Sequence, residues 1–468
     1  MEFSTAAGGG GLPVAVIGSG PSGLATMRAL ARQGLDFIGF EQFTDVGGLW
    51  NIDNPASTVY ESAHLISSRS TTEFAEYPMP AGTPDYPGHS HLRQYFRGYA
   101  KTFGLQRRIR FSTRVTSAVP SGDGEWTVAW EGPDGAGRGR FSAVVVASGT
   151  LHTPFLPSFK GEFAGEIRHS AQYKKATDFA GKRVLIVGAG NSGCDIAVDA
   201  VHHAAAVDIS VRRGYYFVPK YVFGRPTDTL NQGKPLPRPL KQFIDKRLLR
   251  MFTGDPARFG FPKPDYRIYE SHPVVNSLIL HHLGHGDLAV KPDIDRLEGS
   301  TVHFRDGRSE EYDLLLCATG YILDYPFLKP ELLGWHGPSP DLYLNIFSRA
   351  AKNLMVVGMV EASGLGWEGR YRQAELVAAY LAAQRDAPVA AEAFGNTIGG
   401  PSPDVTGGYR YLGLDRMSYY VNKDAYRAEL AAHLAQLSEP GGPTEPGGTG
   451  GPAGTAGAAV PAMAEVQR

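Results

Sequence analysis

The residues best placed to do chemistry are two glycine loops about 170 residues apart. Gly18-Ser19-Gly20-Pro21-Ser22-Gly23 and Gly188-Ala189-Gly190-Asn191-Ser192-Gly193 share one spacing. In that pattern the first glycine makes a tight turn. The second lets backbone approach a pyrophosphate, and the third lets helix and strand pack closely. Pro21 suits a first helical turn, where its missing N–H costs nothing. The free N–H groups and dipole of the helix behind each loop attract phosphate.

The strands beyond the two loops end differently. After the first loop, Glu41 ends the next strand, where a carboxylate can accept from both hydroxyls of a ribose. After the second, the corresponding strand ends in Arg212-Arg213. A guanidinium pairs with a 2′-phosphate through two parallel bonds, whereas a carboxylate would repel it. The first loop therefore reads as a site for FAD and the second as a site for NADPH. Two nucleotides on one chain imply two-electron transfer between them.

Each loop needs a strand before it and a helix behind it. Val14-Ala15-Val16-Ile17 precedes the first, residues 24–33 read as a helix, and Phe37-Ile38-Gly39-Phe40 as the next strand. The order recurs in Val184-Leu185-Ile186-Val187, a helix over residues 193–203, and a strand over 207–211. Such alternation means parallel sheets. Residues 110–115, 125–130 and 141–147 read as an antiparallel meander with a return strand. Asp313 to Ala318 reads as a late strand that brings the chain back to the first domain. The expected class is α/β: two Rossmann-like dinucleotide-binding domains, the NADP domain inserted in the FAD domain, with an antiparallel β-meander. The expected boundaries are a flexible arm over 1–11 and a first FAD part over 12–160. An NADP domain with a helical insert is expected over 161–297, a second FAD part over 298–437, and a disordered tail over 438–468.

Several further motifs carry a family likeness. Val46-Gly47-Gly48-Leu49-Trp50 comes after Glu41. Phe163, Gly165, His169 and Tyr173 fall in the spacing F-x-G-x-x-x-H-x-x-x-Y just before the second loop. Cys194-Asp195 continues that loop, and Cys317-Ala318-Thr319-Gly320-Tyr321 comes late. Together with the loops these resemble the class B flavin-dependent monooxygenases, of the flavin-containing monooxygenase type, from Leu12 to Leu437. The resemblance implies FAD contacts at Gly18, Ser19, Gly20, Pro21, Ser22, Gly23, Glu41, Gly48, Leu49, Trp50 and Val115. It implies nicotinamide-side contacts at Gly188, Gly190, Asn191, Ser192, Gly193, Asp195, Arg212 and Arg213, and cofactor contacts at Thr319, Gly320 and Tyr321. It also implies that NADPH reduces FAD, and that dioxygen adds to give a flavin hydroperoxide. One oxygen then passes to a soft nitrogen or sulfur nucleophile of a small molecule. Tyr173 followed by Lys174 favours that outcome over Baeyer–Villiger oxygenation. Family members are often homodimers.

His169, Tyr173 and Ser67 are the catalytic candidates, with a positioning role for His169 the stronger reading. Many members place an Asn near the flavin in a segment after a Tyr. Here that segment starts at Tyr60, and Ile66 stands in the Asn's place. Ile66 cannot donate a hydrogen bond, and Ser67 or Ser68 is the candidate substitute. Trp50, Trp367 and Tyr215-Tyr216-Phe217 are candidates for a substrate channel.

Other readings carry less. The histidine groups at 202–203 and 281–285 lack paired cysteines or matching carboxylates, so no metal is expected. Cys194, at a helix start, reads as a packing residue. Lys+Arg 46 nearly cancels Asp+Glu 47, which excludes a global basic field for nucleic acid or lipid. Two cysteines and no long apolar run point to a reducing compartment, with cytoplasm the default and no membrane partner. A disulfide reductase would need a C-x-x-C, which is missing.

Overall fold

The computed structural model describes residues 11–122, 124–230 and 236–438. The expected arm and tail lie outside these, apart from Gly11 and from Ser438, which ends a helix.

The four-residue run Val14–Ile17 is fully buried, as the central strand of a parallel sheet must be. It pairs in parallel with Phe37–Phe40 on one side and with Ala143–Val146 on the other. Ile109–Arg110 and Leu354–Val356 extend the sheet in parallel, and two short antiparallel strands complete seven. Helices Pro21–Arg32 and Gly366–Asp386 pack together over it. An antiparallel meander is present, but its strands are Arg114–Gly122, Glu125–Gly132 and Gly135–Phe141. Of the segments expected at 110–115 and 141–147, Arg110 joins the parallel sheet and the return strand is Ala143–Val146, so the third meander strand was not read from the sequence.

A second, five-stranded parallel sheet repeats the plan. Its order is Glu166–His169, Leu314–Cys317, Arg183–Val187, Ala206–Ser210 and Ala289–Lys291. Helix Asn191–Val201 lies behind its glycine loop as Pro21–Arg32 lies behind the first. Here one expectation fails. Leu314–Cys317 does not return to the first sheet; it sits at the heart of the second, between the strands ending at His169 and Val187. The expected end of the inserted unit at residue 297 falls inside the strand Ile294–Gly299, which continues directly into Thr301–Phe304. Leu185 and Leu315 pack against that hairpin, which is why the chain stays with the second unit until then. The return to the first sheet is made later, by residues 342–356. Thr153–Pro154 pairs antiparallel with Tyr321–Ile322 where the chain leaves and re-enters.

Among the described residues, no helix is long and apolar enough to cross a membrane.

Candidate nucleotide and substrate site

The two loops are built alike down to single hydrogen bonds. Gly18 N–H donates to Phe40 O at 2.8 Å, and Gly188 N–H to Ser210 O at 3.0 Å. Gly18 and Gly188 have φ of 105° and 106°, a left-handed region that only glycine enters cheaply. A Cβ on Gly23 would lie 1.9 Å from Gly18 O, and one on Gly193 would lie 2.0 Å from Gly188 O. Each third glycine thus sets how closely its helix meets its loop. Ala147 N–H donates to Ile17 O, and Ala318 N–H donates to Val187 O. So Ala147-Ser148-Gly149 and Ala318-Thr319-Gly320 are equivalent points, one per sheet, where strand order switches and ligands bind in such folds. Thr319, Gly320 and Tyr321 therefore belong to the second unit's switch point.

A cavity of about 1310 Å³ opens on the first loop. That exceeds the roughly 300–1,000 Å³ of an ordinary small-molecule site and leaves room for a dinucleotide and a second molecule. Gly18, Ser19, Gly20, Pro21, Ser22, Glu41, Gly48, Leu49, Trp50 and Val115 all line it. Gly23 does not; it acts beneath the loop. The wall also holds residues that were not expected from the sequence, chiefly Ser148, Gly149 and Thr150. Their signal was the likeness of Ala143-Val144-Val145-Val146-Ala147-Ser148-Gly149 to Leu314-Leu315-Leu316-Cys317-Ala318-Thr319-Gly320.

The lining fits a flavin dinucleotide. Ser148 Oγ is buried with no hydrogen-bond partner among the described residues, a hydroxyl that a ligand would satisfy. A Cβ on Gly48 would come 3.1 Å from Gly20 Cα, so the backbone cradle between them admits no side chain. Glu41 is buried and accepts from Ser19 N–H at 2.9 Å, Ser19 Oγ–H at 2.7 Å and Phe43 N–H at 3.0 Å. Burial pushes its carboxyl above the usual carboxylate range, against those bonds. The Gln42 backbone N–H also holds it, so most of a carboxylate's roughly four lone-pair directions are already taken by the chain, leaving less for a ribose than the sequence suggested.

The second loop lies off this cavity. Ser192 is exposed, and a Cβ on Gly190 would meet nothing. Asn191 is used structurally: its Oδ1 accepts from Val275 N–H at 2.7 Å, and its Nδ2 donates to Pro273 O at 3.4 Å. Pro273 and Val275 line the cavity, so Asn191 couples the second loop to it. Asp195 accepts from Asn276 Nδ2 at 2.5 Å and from the Tyr60 hydroxyl at 3.4 Å. Burial raises its pKa. Its role in the structure is to brace the helix against the first unit. Arg212 is exposed and Arg213 partly so.

Of the three catalytic candidates, only Ser67 lines the cavity, with its Oγ 2.7 Å from Thr72 Oγ1. Ile66 lines it too. Tyr173 is fully buried, stacks on Phe179 at 4.9 Å, and donates to Asp199 Oδ2 at 2.9 Å. His169 Nδ1 accepts from Ala171 N–H at 3.1 Å, and Nε2 faces Gly320 O at 3.0 Å. An imidazole that accepts at one nitrogen and donates at the other is neutral with no proton to exchange. Burial lowers its pKa accordingly. His169 therefore acts as a strut between the crossover and the second switch point.

Trp50 and Trp367 line the cavity and meet edge to face at 6.3 Å. Phe217 instead fills the second core, and none of Tyr215-Tyr216-Phe217 lines the cavity. Cys194 is fully buried and its thiol pKa is pushed up, so it packs. His282, His285 and Asp287 do converge at the surface, their ligand atoms within 4.8 Å of one another. Gly286, at φ 81°, turns the chain so that Asp287 reaches His282 Nδ1 at 2.8 Å. The histidines therefore do have a carboxylate beside them, contrary to expectation, because that turn folds it back.

His272, on the cavity wall, has its pKa pushed down to about 4 by burial and by Arg416. An imidazole held low in the fold lets the unfolded chain bind protons first as pH falls. Its contribution is complete above pH about 6.5 and is lost as pH drops toward about 4. The melting temperature is expected to hold steady above neutrality and to fall through that window. The fall should be shallower in His272→Gln, as followed by circular dichroism. An equal slope in both would assign the acid lability elsewhere.

Two dinucleotide folds on one chain, the first opening on the large cavity, have the plan of a two-nucleotide oxidoreductase. The family model described as flavin-binding monooxygenase-like matches residues 12–394, and the chain belongs to that family. Flavin-containing monooxygenase 5 of Cavia porcellus is 34% identical over 376 residues, covering 75% of this chain and 70% of that protein. Flavin-containing monooxygenase 2 of Homo sapiens is 33% identical over 375 residues, with the same shares. Among solved structures, an open form of cyclohexanone monooxygenase superposes with TM-score 0.67 at 20% identity, over 91% of this chain and 98% of that one. S-allyl-L-cysteine S-oxygenase from Allium sativum gives 0.61 at 22%, over 91% and 88%. Those likenesses concern the fold. The protein is a flavin-dependent monooxygenase that works with FAD and NADPH.

Proposed function

We propose that the protein transfers one atom of dioxygen to a soft nitrogen or sulfur nucleophile of a small molecule. The observation that carries this is negative space with a particular lining. The cavity wall holds Ile66, Trp50 and Trp367, while the two acid–base candidates His169 and Tyr173 are bonded away from it. A soft nucleophile needs no base to deprotonate it, so a dry, shaped pocket suffices.

In this reading the first loop and Glu41 hold FAD, and the second loop with Arg212 and Arg213 holds NADPH. FAD held at the first loop would supply the redox chemistry, with NADPH as the source of electrons and dioxygen as the oxidant. The chain does the rest. Gly20 and Gly48 seat the pyrophosphate, Ser148 gives a hydroxyl, and Ile66 with the two tryptophans excludes water. Ser67, held by Thr72, is the cavity hydroxyl that follows Ile66 in the chain. Asn191 links nicotinamide binding to the cavity wall through Val275.

The test is oxygen uptake and NADPH consumption with a thioether, a tertiary amine and a cyclic ketone, with product mass and peroxide measured together. The expected result is a sulfoxide or N-oxide matching the NADPH consumed. Turnover of the ketone alone, or peroxide accounting for all the oxygen, would overturn the proposal. Ile66→Asn should add one donor to the pocket. A net hydrogen bond of about 0.5–1.5 kcal/mol predicts roughly two- to tenfold less peroxide per NADPH. An unchanged ratio would remove Ile66 from the reacting end of the cavity.

A further inference from the structure

Helix Leu278–His285 ends in a cluster of side chains that the oxygenation chemistry does not use. His282 and His285 are three residues apart, so they share one face of its last turn. Gly286 then enters the left-handed region, at φ 81°. That turn lets Asp287 N–H donate back to His282 O at 3.0 Å, the closing bond of a Schellman motif. The backbone thus fixes Asp287 beside the two rings. Its Oδ2 lies 2.8 Å from His282 Nδ1 and 3.7 Å from His285 Nδ1. Ile279 and Leu280 of the same helix are buried in the second core, so the cluster rests on a packed base.

A fourth group comes from another element. Helix Asn191–Val201 packs against Leu278–His285 and is capped at its C-terminus by His202. The His202 ring lies 5.3 Å from the His282 ring, centroid to centroid, and the His285 ring 6.2 Å from it. Two helix C-termini therefore meet at the cluster, and the partial negative charge at each favours a cation. Among the described residues, no other three His, Cys, Asp or Glu side chains converge in this way.

Spacing and donor type select the ion. Ligand atoms about 2.0–2.1 Å from a tetrahedral zinc ion stand roughly 3.3 Å apart. The separations of 2.8 Å and 3.7 Å bracket that value, so small side-chain rotations admit the ion. His282 Nδ1 shares a proton with the Asp287 carboxylate, which can only accept. The ion takes that proton's place and the ring adopts its other tautomer. Calcium and magnesium want oxygen ligands, and copper(II) wants a tetragonal set, whereas imidazoles with one carboxylate in a tetrahedron suit zinc. We propose that His202, His282, His285 and Asp287 hold a zinc ion that clamps the C-terminal ends of these two helices together. None of the four lines the large cavity, so the ion is structural. It fixes the helix that begins at the second glycine loop, at the end remote from that loop.

The experiment is calorimetric titration of the tag-free, FAD-loaded full chain with zinc chloride, together with cobalt(II) absorption and amide hydrogen exchange. The wild type should bind one zinc ion per chain with micromolar affinity. Cobalt(II) should give the visible bands of a tetrahedral ion and be displaced by zinc. Zinc should slow exchange at residues 282–288 and 201–204 together. His282→Ala, His285→Ala and Asp287→Ala should each weaken binding by at least about tenfold, since even a group that merely orients a metal ligand is commonly worth that much. His202→Ala should weaken it too, and should remove the protection at 201–204. The His285 side chain is 69% accessible, so His285→Ala should keep wild-type flavin content and zinc-free NADPH-dependent oxygen uptake. Lost binding in that variant is then a lost ligand and not a lost fold. Zinc that binds only at millimolar concentration, or binds the variants as tightly as the wild type, overturns the proposal. Tight binding that His202→Ala leaves unchanged overturns the clamp.

Discussion

Gly23→Ala is expected to yield protein without bound flavin, while Gly193→Ala yields yellow protein that no longer responds to NADPH. The two substitutions make the same insult in equivalent places. Each new Cβ would fall about 2 Å from the carbonyl of its loop's first glycine, at 1.9 Å and 2.0 Å respectively. The contact is with backbone on both sides, so no side chain can swing away. The helix must instead lift off the loop, and the N–H groups at its start move from where a pyrophosphate would sit. Overpacking of this kind costs about 1–3 kcal/mol, and more where backbone must move. If most of that falls on binding, the dissociation constant rises by about a hundredfold. Flavin absorbance relative to protein absorbance reads the first variant, and NADPH titration of flavin reduction reads the second. Each variant also serves as the other's folding control, because the loops sit in separate sheets. A Gly23→Ala protein with full flavin content would remove the FAD assignment from the first loop. A crossed result, with Gly193→Ala colourless and Gly23→Ala yellow, would exchange the two sites.

The parts of the structure legible in the sequence were those fixed by local chemistry. A β-branched run, a glycine spacing and an Ala-rich stretch placed Val14–Ile17, Arg183–Val187 and both loop helices to within a few residues. Local chemistry does not encode partnership. Leu314–Cys317 is a short apolar run that would suit either sheet, and only its register beside His169 and Val187 decides which. His169 shows the same limit on a smaller scale. Its imidazole suggests proton transfer, but the turn at Ser170–Gln172 consumes one nitrogen and the Gly320 carbonyl takes the other. Glu41 follows directly on the strand Phe37–Phe40 as read from the sequence, yet its bonds to Ser19 depend on how the first loop folds back over the strand end.

Arg212→Ala should raise the apparent constant for NADPH by about ten- to a hundred-fold and leave that for NADH almost unchanged. The strand Ala206–Ser210 is buried along most of its length, and Val211 N–H still donates to Lys291 O at 2.9 Å. The chain therefore holds strand geometry up to Val211, and Arg212 is the first exposed side chain beyond it. Two residues on, Gly214 is wedged against the segment at Pro262 to Pro264, where an added Cβ would come within 2.3 Å of Pro262 O. The turn after the arginines is thus pinned from both ends, and their guanidinium groups work from a fixed base. A charge-assisted hydrogen bond contributes about 1.5–3 kcal/mol, which is the range stated. NADH lacks the phosphate those bonds would hold, so it loses nothing when the guanidinium goes. Arg213→Ala should show a smaller loss of the same selectivity, since that side chain is partly covered already. Added salt should weaken NADPH binding in the wild type more than in Arg212→Ala, because an exposed ion pair is screened. Steady-state NADPH and NADH oxidation at two ionic strengths separates these effects. Equal losses for both nucleotides would mean that Arg212 braces the fold of the second loop, and the discrimination would have to be sought in Arg213 or in the exposed Ser192.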